Sequence, residues 1–197
     1  MLSGCVTALV RAGWNVVLPS RRYAPIPTER GHTEPRPGMA AVAALGRPGH
    51  RPTATAERDQ GSGRALWVRA DWSQPGQLAA RAGKALGGPA DLLVAWVHSG
   101  YRETVLLAAA SLLAPGAPVV EVHGASSAKP TLGCPEPVLA EHPTQQVVLG
   151  FVQTGERPRW LNHQEISAGV LDAVNRAIEG RPSAVHQVGE FHSWARR

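Results

Sequence analysis

The chain has 197 residues, 43% of them hydrophobic, which is enough for one domain with a sizeable core; 20 basic against 15 acidic side chains give +5 at pH 7. Its 21 glycines and 17 prolines follow no collagen-like period, its longest strictly apolar run is Met39 to Leu45, and its two cysteines are Cys5 and Cys134. Collagen, a membrane span and a disulfide scaffold are therefore excluded as readings.

Residues Leu2 to Ala12 read as a helix, with Val6, Leu9 and Val10 on one face and Gly13 where a helix stops. Trp14 to Leu18 is a short apolar run that reads as a buried strand, ended by Pro19 and Ser20. Tyr23 to Arg64 is rich in Pro, Gly, Arg and Thr and reads as loop, with a short helix expected at Met39 to Leu45. Leu66 to Ala70 reads as a strand and Pro75 to Leu86 as a helix, with Pro in its first turn and Gly87-Gly88 after its end. Asp91 to Val97 is a strongly apolar strand, and Tyr101 to Leu113 a helix stopped by Pro115-Gly116. Pro118 to His123 is a strand, Gly124 to Pro143 a long loop, and Gln145 to Val152 another strand. Glu165 to Ile178 reads as a helix capped by Asn162, with Glu165 three residues on; Ala184 to Val188 is a last strand. Continuous apolar strands alternating with helices argue for a doubly wound α/β fold with a mostly parallel sheet and helices on both faces.

Taken in this order, the segments resemble the short-chain dehydrogenase/reductases. Met1-Leu2-Ser3-Gly4 resembles the end of a Gly-Gly-Thr-Gly-Met-Leu-Ser-Gly phosphate loop running into its helix. Ser3 and Gly4 would let backbone N–H groups reach a pyrophosphate. Val16 to Leu18, then Pro19-Ser20-Arg21-Arg22, resembles the second-strand end of NADP-preferring members. There Ser20, Arg21 and Arg22 would take the 2′-phosphate, since a guanidinium pairs with phosphate in a fork. Asp71 stands where the family has an Asp that meets the adenine, and Asp91 to His98 aligns with its Asp-x-Leu-Val-Asn-Asn-Ala-Gly stretch. In that stretch Ala95 would let the backbone approach a ribose. Each position also has a plain structural reading. Ser3 and Gly4 can simply open a helix, Arg21 and Arg22 can be solvated charges, Asp71 can cap the next helix, and a lone histidine can be structural.

The resemblance implies a single Rossmann-like domain over residues 1–197, with a flexible insertion at 23–64. It also implies that the family's first strand is missing, as in an N-terminally truncated product. Loss of that central strand would leave two strand edges without a backbone partner. The family's catalytic Ser position is Gly124, with Ser126 and Ser127 just beyond. No Tyr follows Tyr101, so the Tyr-x-x-x-Lys motif is absent and Lys129 stands isolated. His98 and His123 are the remaining candidates for moving a proton near neutral pH.

The expected function is thus an NADP-linked oxidoreductase of a divergent bacterial branch. The alternative is a catalytically inactive nucleotide-binding or sensor protein. The expected partner is a small-molecule cofactor, with a homo-oligomer implied by the family. Scattered arginines, with only Lys84 and Lys129 as lysines, form no basic stripe interleaved with aromatics, so nucleic acid is not an expected partner. No His-x-x-x-His, Cys-x-x-Cys or His-Glu-x-x-His spacing announces a metal. Two cysteines and no basic-then-apolar leader predict reduced thiols in a cytoplasmic protein.

Overall fold

The computed structural model describes residues 2–21, 42–46, 63–124, 134–154 and 157–190. Helix α1 (Ser3–Arg11) leads through the Gly13 turn into strand β1 (Asn15–Ser20), followed by β2 (Val42–Gly46) and β3 (Ala65–Arg69). Then come α2 (Pro75–Leu86), β4 (Leu92–Ala95), a 3-10 turn at Ser99–Tyr101, α3 (Arg102–Ala110) and β5 (Val119–Gly124). The chain continues with β6 (Thr144–Leu149), β7 (Phe151–Thr154), β8 (Arg157–Trp160), α4 (His163–Ile178) and β9 (Ala184–Val188).

Seven strands form one sheet in the order β3-β1-β2-β4-β5-β6-β9. The β1–β3, β4–β5, β5–β6 and β6–β9 pairs are parallel. Only β2 runs the other way, antiparallel to both β1 and β4. The protein is therefore α/β with a mostly parallel sheet.

Helices cover both faces. On one, α1 and α4 press Val6, Leu9, Val170 and Val174 onto Val16, Leu92, Val120 and Val147. On the other, Leu78 of α2 and Val105, Leu106 and Ala109 of α3 pack on Leu93, Ala95 and Val119. Along β1, β4 and the start of β5 the alternation sends successive side chains to opposite helical layers, and these runs are apolar because both faces meet helices. A buried Leu or Val of this kind contributes about 1.5–3 kcal/mol of transfer free energy.

The helix boundaries follow local chemistry. Pro75 fits the first turn of α2, where its missing N–H has no intrahelical partner to lose. Gly87 ends that helix at φ +70°, a conformation that costs a Cβ-bearing residue energy. Asn162 accepts hydrogen bonds from the Gln164 and Glu165 backbone N–H groups, and the Glu165 carboxylate accepts from Asn162 N. This capping box satisfies donors that the first turn of α4 would otherwise leave free. Helix α4 begins at His163, a little before the expected Glu165.

Three expectations are corrected. The stretch expected as a helix at Met39 to Leu45 instead contains β2, which lies within the expected insertion 23–64. The central place between β1 and β4 is thereby filled. Val17 and Leu93, which the loss of a central strand would leave without partners, both pair with Ala44. Alanine-rich segments favour helix in isolation, but two open strand edges offer a ladder that decides otherwise. The single strand expected at Gln145 to Val152 is broken at Gly150. Leu149 ends β6, and Phe151 opens a separate hairpin of β7 and β8.

Candidate functional site

Helices α2, α3 and α4 each lie in a crossover between two strands of like direction, α4 entered through the β7–β8 hairpin, so each N-terminus stands at the carboxyl edge of the sheet. Helix α1 does the same because its C-terminus feeds the start of β1. In doubly wound sheets ligands bind at this edge.

At the ends of β1 and β3 the edge opens into a cavity of about 320 Å³, lined by Arg21, Arg69, Ala70, Asp71, Gln74, Gln77, Leu78 and Arg81. Arg21 and Asp71, named separately from sequence, thus meet. Ser20 lies at the same corner, where its hydroxyl accepts from Trp67 Nε1 at 2.9 Å and its carbonyl accepts from Ala70 N at 3.0 Å. The Arg21 guanidinium sits 5.7 Å from the centre of the Trp72 ring, in cation–π range. Asp71 Oδ1 accepts from Ser73 N at 3.0 Å and from Ser73 Oγ at 2.9 Å. Those two bonds, with Arg21 nearby, hold its carboxyl below the usual range. Asp71 does not cap α2, whose N-cap is Gln74 without a side-chain bond; it holds the local turn at Ser73 instead, and its carboxylate lines the cavity. Arg22 lies outside the described residues.

Ser3 and Gly4 lie elsewhere. They line a shallow cleft of about 380 Å³ between the starts of α1 and α4, with His163, Gln164, Ser167, Ala168 and Leu171. A Cβ on Gly4 would stand 3.0 Å from Ser167 Cβ, so this glycine lets the two helices approach. No side chain caps α1 among the described residues. Ala95 is buried in the layer beneath α2 and α3.

His98 is exposed, just beyond β4, and its carbonyl accepts from Tyr101 N at 2.9 Å. His123 is different, with a side chain only 4% exposed. Its Nε2 is 3.7 Å from Glu121 Oε2 and has no hydrogen-bond partner among the described residues. Burial, helped by the Arg102 charge, pushes its pKa down to about 4, so the ring is neutral at ordinary pH.

Glu121 is the residue that motif reasoning passed over. It is 1% exposed, in the middle of β5. Arg102 at the start of α3 donates to its Oε2 from Nε at 2.7 Å, and Val138 N donates to its Oε1 at 3.3 Å. Arg102 also donates to the Glu136 carbonyl at 2.7 Å, and Gln146 donates to the Pro135 carbonyl at 2.6 Å. The segment 134–138 is thereby strapped to β5 and β6. Cys134 sits in this strap, its thiol pKa raised by partial burial. One charged residue inside an otherwise apolar strand was the available signal.

The neutral His123 makes an acid-side prediction. An unfolded histidine titrates near 6.5. Protonation near 4 in the fold means that unfolding takes up a proton between those values, so stability falls as the pH drops from about 6.5 toward 4. The contribution reaches about 3 kcal/mol. Urea midpoints at pH 7 and 4.5 are expected to differ less in His123→Gln than in the parent. An equal difference in both proteins would rule out His123 as the source.

Among the described residues, no group of three or more His, Cys, Asp or Glu could hold a metal ion. Nor is any helix there long and apolar enough to cross a membrane. What the fold and the edge define is an α/β protein with an arginine-lined cavity at the carboxyl ends of two parallel strands. Compared with protein-family models, curated proteins and solved structures, the chain matches none of them.

Proposed function

We propose that the chain is a divergent relative of the short-chain dehydrogenase/reductases that binds NADP(H) along the carboxyl edge of a Rossmann-like sheet. The observation that carries this reading is the convergence of Arg21 and Asp71 in one cavity at the ends of β1 and β3. A guanidinium there suits the 2′-phosphate, and a carboxylate there suits the adenine amino group. The start of α1, with Ser3 and Gly4 exposed, offers backbone N–H groups and the positive end of a helix to a pyrophosphate. Ala95, packed in the core, serves as a small residue under the strand end rather than as a ligand contact.

The bound cofactor supplies a hydride, and the protein must then manage one proton. His98, exposed beyond β4, is the histidine placed to exchange it. A second reading, nucleotide binding without turnover, is supported by the burial and neutrality of His123. It is also supported by the strapped segment 134–138, which stands in the stretch where the family carries its Tyr-x-x-x-Lys helix.

Titration with NADPH, followed by tryptophan fluorescence, is expected to give saturable binding, since Arg21 rests on Trp72. A flat titration up to millimolar NADPH would remove both readings. Consumption of NADPH with a panel of carbonyl compounds, lost in His98→Gln, selects the oxidoreductase. Binding without consumption selects the sensor.

A further inference from the structure

We infer that Arg69 and Arg81, together with Arg21, form a clamp for a phosphomonoester dianion. The clamp deepens the nucleotide reading by giving Arg69 and Arg81 a part in holding the phosphate, and it rests on that reading only for the larger molecule that carries the group.

Charge is the first argument. The cavity is lined by three guanidinium groups and one carboxylate, that of Asp71. Oδ1 of that carboxylate is already engaged by Ser73. The lining therefore carries two net positive charges, and a phosphomonoester near neutral pH carries about −1.5 to −2. A ribose hydroxyl would leave the arginines repelling one another, whereas a dianion neutralises them. Lys84, beside Arg69 and Arg81 in the neighbouring hollow, adds to the same field.

Geometry is the second argument. Arg81 stands one helical turn beyond Gln77 on α2, and both line the cavity. Its guanidinium donates to the Arg69 backbone carbonyl at 2.9 Å, which fixes the head of the side chain at the end of β3. A second donor reaches Gln77 Oε1 at 3.5 Å, so three of the five N–H groups of the guanidinium remain for a ligand. Arg21 is held from the other side by the Trp72 ring. Arg69 has no ion pair among the described residues. Two of the three arginines are thus positioned before any ligand arrives, which lowers the entropy cost of binding. Arginine suits phosphate better than lysine here because two parallel N–H groups meet two oxygens.

The dianion has two sources, the 2′-phosphate of a dinucleotide or a smaller phosphorylated compound, and calorimetry can separate them. Four probes are titrated: NADPH, NADH, adenosine 2′,5′-bisphosphate and phenyl phosphate. The proteins are the parent, Arg69→Gln, Arg81→Gln and Arg81→Lys, each checked for an unchanged thermal melt. The glutamine variants are expected to weaken NADPH and the bisphosphate about tenfold or more, as loss of a charged hydrogen bond does. NADH is expected to change less than about twofold, and Arg81→Lys to fall between parent and Arg81→Gln. Unchanged affinity for all phosphorylated probes in both glutamine variants overturns the clamp, and the nucleotide reading survives if NADPH still binds. Phenyl phosphate binding that is lost in the variants, with NADPH binding no tighter than phenyl phosphate, keeps the clamp and removes the dinucleotide. Absence of binding by every phosphorylated probe removes both.

Discussion

Glu121→Leu is expected to lower stability by about 3–5 kcal/mol, or roughly 6–20 °C in Tm for a domain of this size. The change removes the acceptor of two bonds that hold the strap and α3 to β5, from Val138 N and Arg102 Nε. Arg102, whose side chain is only 17% exposed, then keeps its charge without the carboxylate that offsets it. An uncompensated charge in that position costs more than the intact pair contributes, because Arg102 is largely withdrawn from water. Arg102→Met in the same chain removes the stranded charge. The double variant is therefore expected to recover most of the loss. Thermal melts of parent, both single variants and the double variant form the test. A Glu121→Leu protein that melts with the parent would show that the strap does not depend on this carboxylate.

Ala44→Pro is expected to be more damaging still and to abolish the cooperative unfolding transition. Ala44 pairs with Val17 on one side and Leu93 on the other, so its backbone stands in the middle of the sheet. Proline supplies no N–H to the ladder and is tolerated in strands at edges or bulges rather than between two partners. Losing the strand would leave β3-β1 and β4-β5-β6-β9 as two sheets with facing unpaired edges. Ala44→Val, which keeps the N–H and favours extended backbone, is the control and is expected to fold. Circular dichroism melts and amide exchange at residues 42–46 read the outcome. Parent-like melting of Ala44→Pro would place residue 44 outside the sheet.

Much of this architecture was legible because one residue pattern dominated each segment. The apolar runs at Val16 to Leu18, Leu92 to Ala95 and Val119 to Val122 are strands because both of their faces meet helices. Pro75, Gly87 and the Asn162–Glu165 box mark helix ends through chemistry confined to a few neighbouring residues. The segment Val-Ala-Ala-Leu-Gly at 42–46 was not legible as strand, since its conformation is set by edges that lie far away in sequence. At the site, Arg21 and Asp71 were legible because they close strands at a predictable edge. Arg81 was not, because an arginine on a helix looks like any solvated charge until the Arg69 carbonyl is beside it. Glu121 stood out only as a carboxylate in an apolar run, and its partners Arg102 and Val138 are set by the way the loop returns.

The reversed strand β2 also bears on the order in which the protein can fold. Neighbouring strands β4, β5 and β6 join through connections that each span one helix or one loop. The seam at β2 is less local, since Val42 must find Ala95 while Gly46 finds Asn15. Contacts between residues distant in the chain close late, because the loop entropy is lost before the ladder compensates it. The carboxyl-terminal block, β4 to β9 with α3 and α4, can therefore organise first and present β4 as a template. Docking of β2 then sets β1 and β3 in place, and with them the corner that holds Arg21, Arg69 and Asp71. The arginine cavity would accordingly be the last part of the edge to assemble, and a ligand that bridges its walls would speed that final step or slow its reversal.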